Sequence, residues 1–163
     1  MNRLNWSQAS PKDFQALFAF SNHVNDAGLE HSLLELVKLR ASQMNGCAYC
    51  IDMHTKDARA AGETEQRLYL LNAWREAAHL YSERERAALA LTEAVTRLTD
   101  GQVPDADYDA ARAQFSEAEL VKLVLAITAI NTWNRINVTF RVPAGDYRPG
   151  MFKQPPAKRA VEG

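Results

Sequence analysis

The sequence predicts an all-α domain, and three observations carry that expectation. Glycine and proline fall mostly between apolar-periodic stretches, where chain punctuation belongs. Two Ser-x-x-Glu boxes, Ser82 with Glu85 and Ser116 with Glu119, mark helix starts. No two-residue hairpin signal separates alternating segments anywhere in the chain.

The elements follow in order. Ser10-Pro11-Lys12-Asp13 opens a helix, with serine as N-cap, proline in the first turn and an acid behind it. Phe14, Leu17, Phe18 and Ser21 continue at helical spacing, and Gly28 is expected to end the helix. A second helix should run from about Glu30 to Met44; it is apolar around most of its circumference, which makes it a central one. Asn45-Gly46 breaks the chain before a third helix, Cys47 to Ala61, stopped by Gly62. Thr64 caps a fourth, carrying Leu68, Leu71 and Trp74. The Ser82 box opens a helix through Leu98, which Asp100-Gly101 ends, and Pro104 starts a short one to Phe115. The Ser116 box leads into Leu120 to Phe140. The run Leu123-Val124-Leu125-Ala126-Ile127 would suit a buried strand by itself, but its cap and length favour helix. From Pro143 onward, Pro149, Pro155, Pro156 and the Lys158-Arg159 pair read as a tail. The division is one helical domain over 1–142 and a Pro-rich, poorly ordered tail over 143–163. Phe14, Phe18, Trp74 and Tyr81 are assigned to the core.

With 163 residues, 47% hydrophobic and 24% charged, the chain can bury a core. Lys plus Arg total 19 against 20 for Asp plus Glu, a net charge of -1, without the basic excess of a nucleic-acid binder. No apolar run reaches transmembrane length, and Met1 to Gln8 lacks the apolar block of a secretory signal. Two cysteines cannot form a disulfide scaffold for a domain of this size. A cytoplasmic protein is expected. Neither a glycine-rich phosphate loop nor a dinucleotide fingerprint is present, so no cofactor is expected.

The chemistry concentrates between Cys47 and His54. On a helix, Cys47, Cys50 and His54 fall at i, i+3 and i+7, within about 60° of arc. Both thiols lie in the first turn after a glycine break, where free N–H groups and the positive dipole end favour thiolate. His54 is four residues past Cys50, close enough to serve a thiol nucleophile as its base. Three readings stay open: a dithiol–disulfide couple, a zinc site on Cys47, Cys50 and His54, or two buried cysteines acting as small hydrophobes. Glu35 lies mid-helix between Leu34 and Leu36, a rare place for a carboxylate. It is either functional, paired with Lys38 or Arg40, or facing solvent between helices. His31, one turn before Glu35, could bond it, and Asp57 could orient His54, although a packing histidine and a solvent-facing acid are the simpler readings. Asn131, Asn134 and Asn137 recur every three residues and read as hydrogen-bonding groups between helices or subunits.

The spacing Glu35, eleven residues, Cys47-x-x-Cys50, three residues, His54 resembles the AhpD-like thiol branch of the carboxymuconolactone decarboxylase-like superfamily. The phrases Leu39 to Gly46 and Thr132 to Asn137 carry the same resemblance, which covers roughly Pro11 to Pro143. It implies an all-α, AhpD-like helical bundle assembling as a homotrimer or homohexamer. It also implies a cofactor-free thiol peroxidase acting on hydroperoxides in antioxidant defence. In it Cys50 attacks, Cys47 resolves, and His54 with Glu35 relays protons. The reductant would be an external dithiol of lipoyl or thioredoxin-like type. Bottom-up, the roles are less clear-cut, because Cys47 is nearer the helix start while His54 is in reach of Cys50. The archetype has a histidine just before its second cysteine. Tyr49 stands there instead and, at about 200° from Cys47, points off the reactive face. The superfamily's decarboxylases lack the cysteine pair, so a lactone lyase is the enzymatic alternative, and a redox-sensing or zinc-binding protein the non-enzymatic one. No nucleic-acid or membrane partner is expected. The resemblance also places part of the Asn131–Asn137 stretch near the pocket.

Overall fold

A computed structural model describes residues 2–152. Eight α-helices account for most of it: α1 (Trp6–Ala9), α2 (Pro11–Asn25), α3 (His31–Asn45), α4 (Ala48–Ala60), α5 (Glu65–Leu70), α6 (Glu83–Arg97), α7 (Asp105–Gln114) and α8 (Glu117–Phe140). Short 3-10 turns at Leu71–Ala73, Ala78–Leu80 and Thr99–Gly101 join them, and no strand occurs among the described residues.

Helices α6 and α8 start at their expected caps, whereas Ser10 precedes α2 without a capping hydrogen bond. Ser82 and Ser116 each accept from the N–H of the glutamate three residues on, while that glutamate bonds back to the cap. Thr64 caps α5, although that helix ends at Leu70 and passes into a 3-10 turn before Trp74. Helix α2 ends at Asn25 with Asp26 as its cap, so Gly28 serves the following turn and not the helix end. The four-residue helix α1, capped by Asn5, is absent from the sequence expectation.

Helix α3 is central, as its apolar circumference requires. Every residue from Leu33 to Leu39 is buried, and α3 packs on α4, α6 and α8. One core cluster joins Leu33, Leu34 and Val37 of α3 to Leu91 of α6 and to Leu123 and Ile127 of α8. A second surrounds Leu36 and Leu39 with Leu68, Leu71, Trp74 and Tyr81. A third holds Ala41, Cys47, Cys50 and Ile130, with Tyr49 and Trp133 packed against it. Phe14 and Phe18 differ from the sequence assignment: they are half-buried and line a cleft, with Trp6 packed on Phe14 and Phe152 on Phe18.

The expected tail begins at Pro143, yet the segment from there to Phe152 stays on the bundle. Lys56 Nζ donates to the carbonyls of Gly145 (2.8 Å) and Tyr147 (3.0 Å), and the Gly145 N–H donates to Asp52 (3.1 Å). Tyr147 is only 6% exposed. The rest of that expectation, residues 153–163, lies outside the described residues. No helix among the described residues is long and apolar enough to cross a membrane.

Candidate active site

The site forms where α3 hands over to α4. Gly46 takes φ +65°, and its N–H and that of Cys47 return to carbonyls at the end of α3. Cys47 is thereby extended and becomes the N-cap of α4. Its sulfur accepts from the Cys50 N–H at 3.4 Å. This differs slightly from the expected helix start at Cys47 itself, and it puts Cys50 in the first turn of α4. Asparagines fix the junction from α8. The Asn45 amide donates to Asn131 and Asn134 (both 2.9 Å), and Asn134 donates to Ser42 (3.0 Å).

Cys47 and Cys50 form a disulfide, with Cα atoms 5.4 Å apart. In this state neither sulfur is a thiolate ligand for a metal. Both residues are buried. Asn137, also buried, donates from Nδ2 to the Cys50 sulfur at 3.3 Å. So the third asparagine of the series reaches the disulfide itself, while the other two join helices. Two sequence signals bore on it: its three-residue recurrence beside Trp133 and the resemblance, which placed part of this stretch near the pocket.

Glu35 and His54 meet across the α3–α4 interface, 19 residues apart in sequence. Glu35 Oε2 lies 2.8 Å from His54 Nδ1, and both residues are buried. Glu35 is also paired with Lys38 (3.2 Å), which itself donates to Asn25 (2.5 Å). The expected ion pair thus forms with Lys38, while Arg40 pairs with Glu93 instead. Burial alone would push the Glu35 carboxyl up. The charge and hydrogen bond of His54, and then Lys38, outweigh it and bring it down to about 2. His31 Nε2 stands 3.8 Å from Glu35 on a largely exposed side chain. The Glu35 carboxylate takes up Nδ1 of His54 and leaves Nε2 as the ring nitrogen open to another partner. That Nε2 is buried and has no hydrogen-bond partner among the described residues.

Asp57, expected to face solvent, instead offers an oxygen within 4.8 Å of ligand atoms on Glu35 and His54. Burial pushes its carboxyl up against the pull of the Tyr147 hydroxyl, and the Glu35 charge adds to the rise. Tyr147 donates to both Asp57 oxygens, at 2.9 and 2.8 Å. Burial and that hydrogen bond hold its phenol well above the ordinary range. These three side chains could chelate a cation, but the Lys38 ammonium already stands against one of them. Tyr49 is half-buried between the cysteine cluster and the cleft, where burial and then Asp52 and Asp57 push its phenol up. The cleft above has a volume of about 1200 Å³; Glu35, His54 and Asp57 are in its lining, and the two cysteines are not.

The model of the carboxymuconolactone decarboxylase family matches residues 11–94, a span holding Glu35, both cysteines and His54. The chain belongs to that family. The chain is 43% identical over 136 residues to the uncharacterized protein YdfG of Bacillus subtilis, covering 83% of this chain and 92% of YdfG. The fold is AhpD-like. It superposes with a TM-score of 0.86 on ATU0492 of Agrobacterium tumefaciens, a protein of unknown function provisionally assigned to antioxidant defence as AhpD. Identity there is 46%, over 90% of this chain and all of that one. The debrominase Bmp8, solved with 2,3,4-tribromopyrrole, shares the fold at a TM-score of 0.75 and 17% identity, covering 85% of this chain and 74% of Bmp8.

Proposed function

We propose that this family member is a thiol-dependent peroxidase of the AhpD type, in which Cys47 and Cys50 cycle between dithiol and disulfide. The observation that carries the reading is the Cys47–Cys50 disulfide at the start of α4, one turn before a buried His54 held by Glu35. In the dithiol state His54 Nε2 accepts the Cys50 proton. The Cys50 thiolate attacks the terminal peroxide oxygen: an S–O bond forms and the O–O bond breaks. The departing alkoxide takes the proton from His54 and leaves as the alcohol, with Cys50 a sulfenic acid. Cys47 then displaces hydroxide from that sulfur, water forms, and the disulfide is restored. An external dithiol, lipoyl or thioredoxin-like, reduces it by two exchanges and leaves oxidised. Asn137 supports the assignment of Cys50 as the attacking residue, since its amide faces that sulfur. The reading includes a cytoplasmic homotrimer or homohexamer.

Thiol counting before and after one equivalent of an organic hydroperoxide tests the proposal, with Cys47→Ser and Cys50→Ser in parallel. Two thiols should vanish per peroxide, and Cys47→Ser should accumulate a sulfenic acid at Cys50. Thiols that survive peroxide would sink the peroxidase reading. They would leave a lyase using Glu35 and His54 as acid and base.

A further inference from the structure

Six aromatic residues form an unbroken arc around the mouth of the cleft. Trp133 is 5.6 Å from Trp6 and 5.8 Å from Phe14, centroid to centroid, and Trp6 is 5.2 Å from Phe14. Phe14 stacks on Phe18 at 5.9 Å, Phe18 meets Phe152 edge-on at 6.2 Å, and Phe152 stacks on Tyr147 at 5.8 Å. All six line the cleft, and all except Tyr147 keep part of their surface open to it. One end of the arc, Trp133, packs against the cysteine cluster; the other, Tyr147, is bonded to Asp57. The floor is polar: Glu35, Lys38, Asp57 and the unpartnered Nε2 of buried His54.

From this geometry we infer that the cleft binds small molecules with an apolar ring, directing a polar, reducible end to the floor. The inference rests on the peroxidase reading for what happens at that end, but not for the binding. Aromatic faces left open around a cavity carry a large hydration cost that a planar apolar body removes, with offset or edge contacts adding selectivity for rings. A cavity of about 1200 Å³ is far larger than a bare peroxide needs, and the aromatic arc gives it one continuous apolar wall among polar ones. The aromatic arc determines which hydroperoxide is preferred, while the thiols below act on whichever arrives.

The test uses the full chain in its disulfide form, so that no turnover occurs. Titration calorimetry compares 2-phenylpropan-2-ol, the alcohol left by a cumyl hydroperoxide, with tert-butanol. The phenyl alcohol should bind at least about tenfold tighter, as expected for burying a ring. Phe18→Ala should remove most of that preference. Phe152→Ser, at a position 42% exposed where folding is not at stake, should reduce it. Tyr69→Ser, on an exposed aromatic outside the cleft, should leave it intact. Equal affinity for the two alcohols, or a preference that survives both cleft substitutions, would overturn the inference. So would ring binding that appears only once subunits are separated, because a second copy would then be the occupant. Ring binding by a protein that fails to consume hydroperoxide would refute the peroxidase reading and leave the ligand class standing.

Discussion

Glu35→Gln isolates the buried carboxylate that holds the site together. The amide keeps the size of the side chain and can still accept from His54 Nδ1, but the charge facing His54 and Lys38 is gone. In the folded protein Glu35 is drawn from the ordinary 4.5 down to about 2. That gap corresponds to about 3 kcal/mol of folding free energy. The sign follows from a depressed acid: the contribution is complete above pH 5 and disappears as pH falls toward 2. Glu35→Gln should therefore be less stable than wild type by about 3 kcal/mol at pH 7, and the difference should shrink steadily below pH 5. Urea unfolding followed by circular dichroism at pH 7, 5, 4 and 3, at one protein concentration, reads it directly. Glu85 and Glu93 are also held below the usual carboxylate range, but they are present in both proteins and cancel in the difference. A variant as stable as wild type at pH 7, or a deficit independent of pH, would refute the charge-based account of this site.

Four further outcomes are expected. Asn137→Ala removes the donor facing Cys50, and hydrogen bonds to charged acceptors are worth about 1.5–3 kcal/mol, so alkylation of the reduced protein at pH 7 should slow about tenfold or more. Cys50→Ser should abolish peroxide consumption, while Cys47→Ser should allow one turnover and then stop, as seen by single-turnover stopped flow. Gly46→Ala meets no atom within 4 Å but forces a side chain to φ +65°. It should cost about 1 kcal/mol and lower the melting temperature by roughly 2–4 °C in calorimetry. Tyr147→Phe strips Asp57 of its donor and should cost about 2 kcal/mol in denaturant unfolding.

Helix starts were legible because a serine cap with its glutamate is a local, three-residue event. The Glu35–His54 contact was legible only through the family resemblance; helical register alone left Glu35 beside Lys38, Arg40 or solvent. Asn137 acts over 87 residues of sequence, and nothing local distinguishes an asparagine that bonds a sulfur from one that joins helices. The packing of Tyr147 was hidden among prolines and glycines. It depends on Asp52, Lys56 and Asp57, which α4 presents on a face that sequence alone reads as solvated. Phe14 and Phe18 show the converse. Periodicity identifies an apolar face but does not say whether another element covers it.

The cysteine pair lies beneath Tyr49 and Trp133, and both cysteines are at most 1% exposed. Thiol–disulfide exchange needs the incoming sulfur in line with the bond it breaks, so this burial acts as kinetic insulation. Bulk thiols should equilibrate with the pair slowly, whatever its potential. A donor that carries its dithiol on a long, narrow arm would have the advantage over one whose thiols sit flush with a protein surface. Partner choice at such a centre would then be decided by reach before it is decided by driving force.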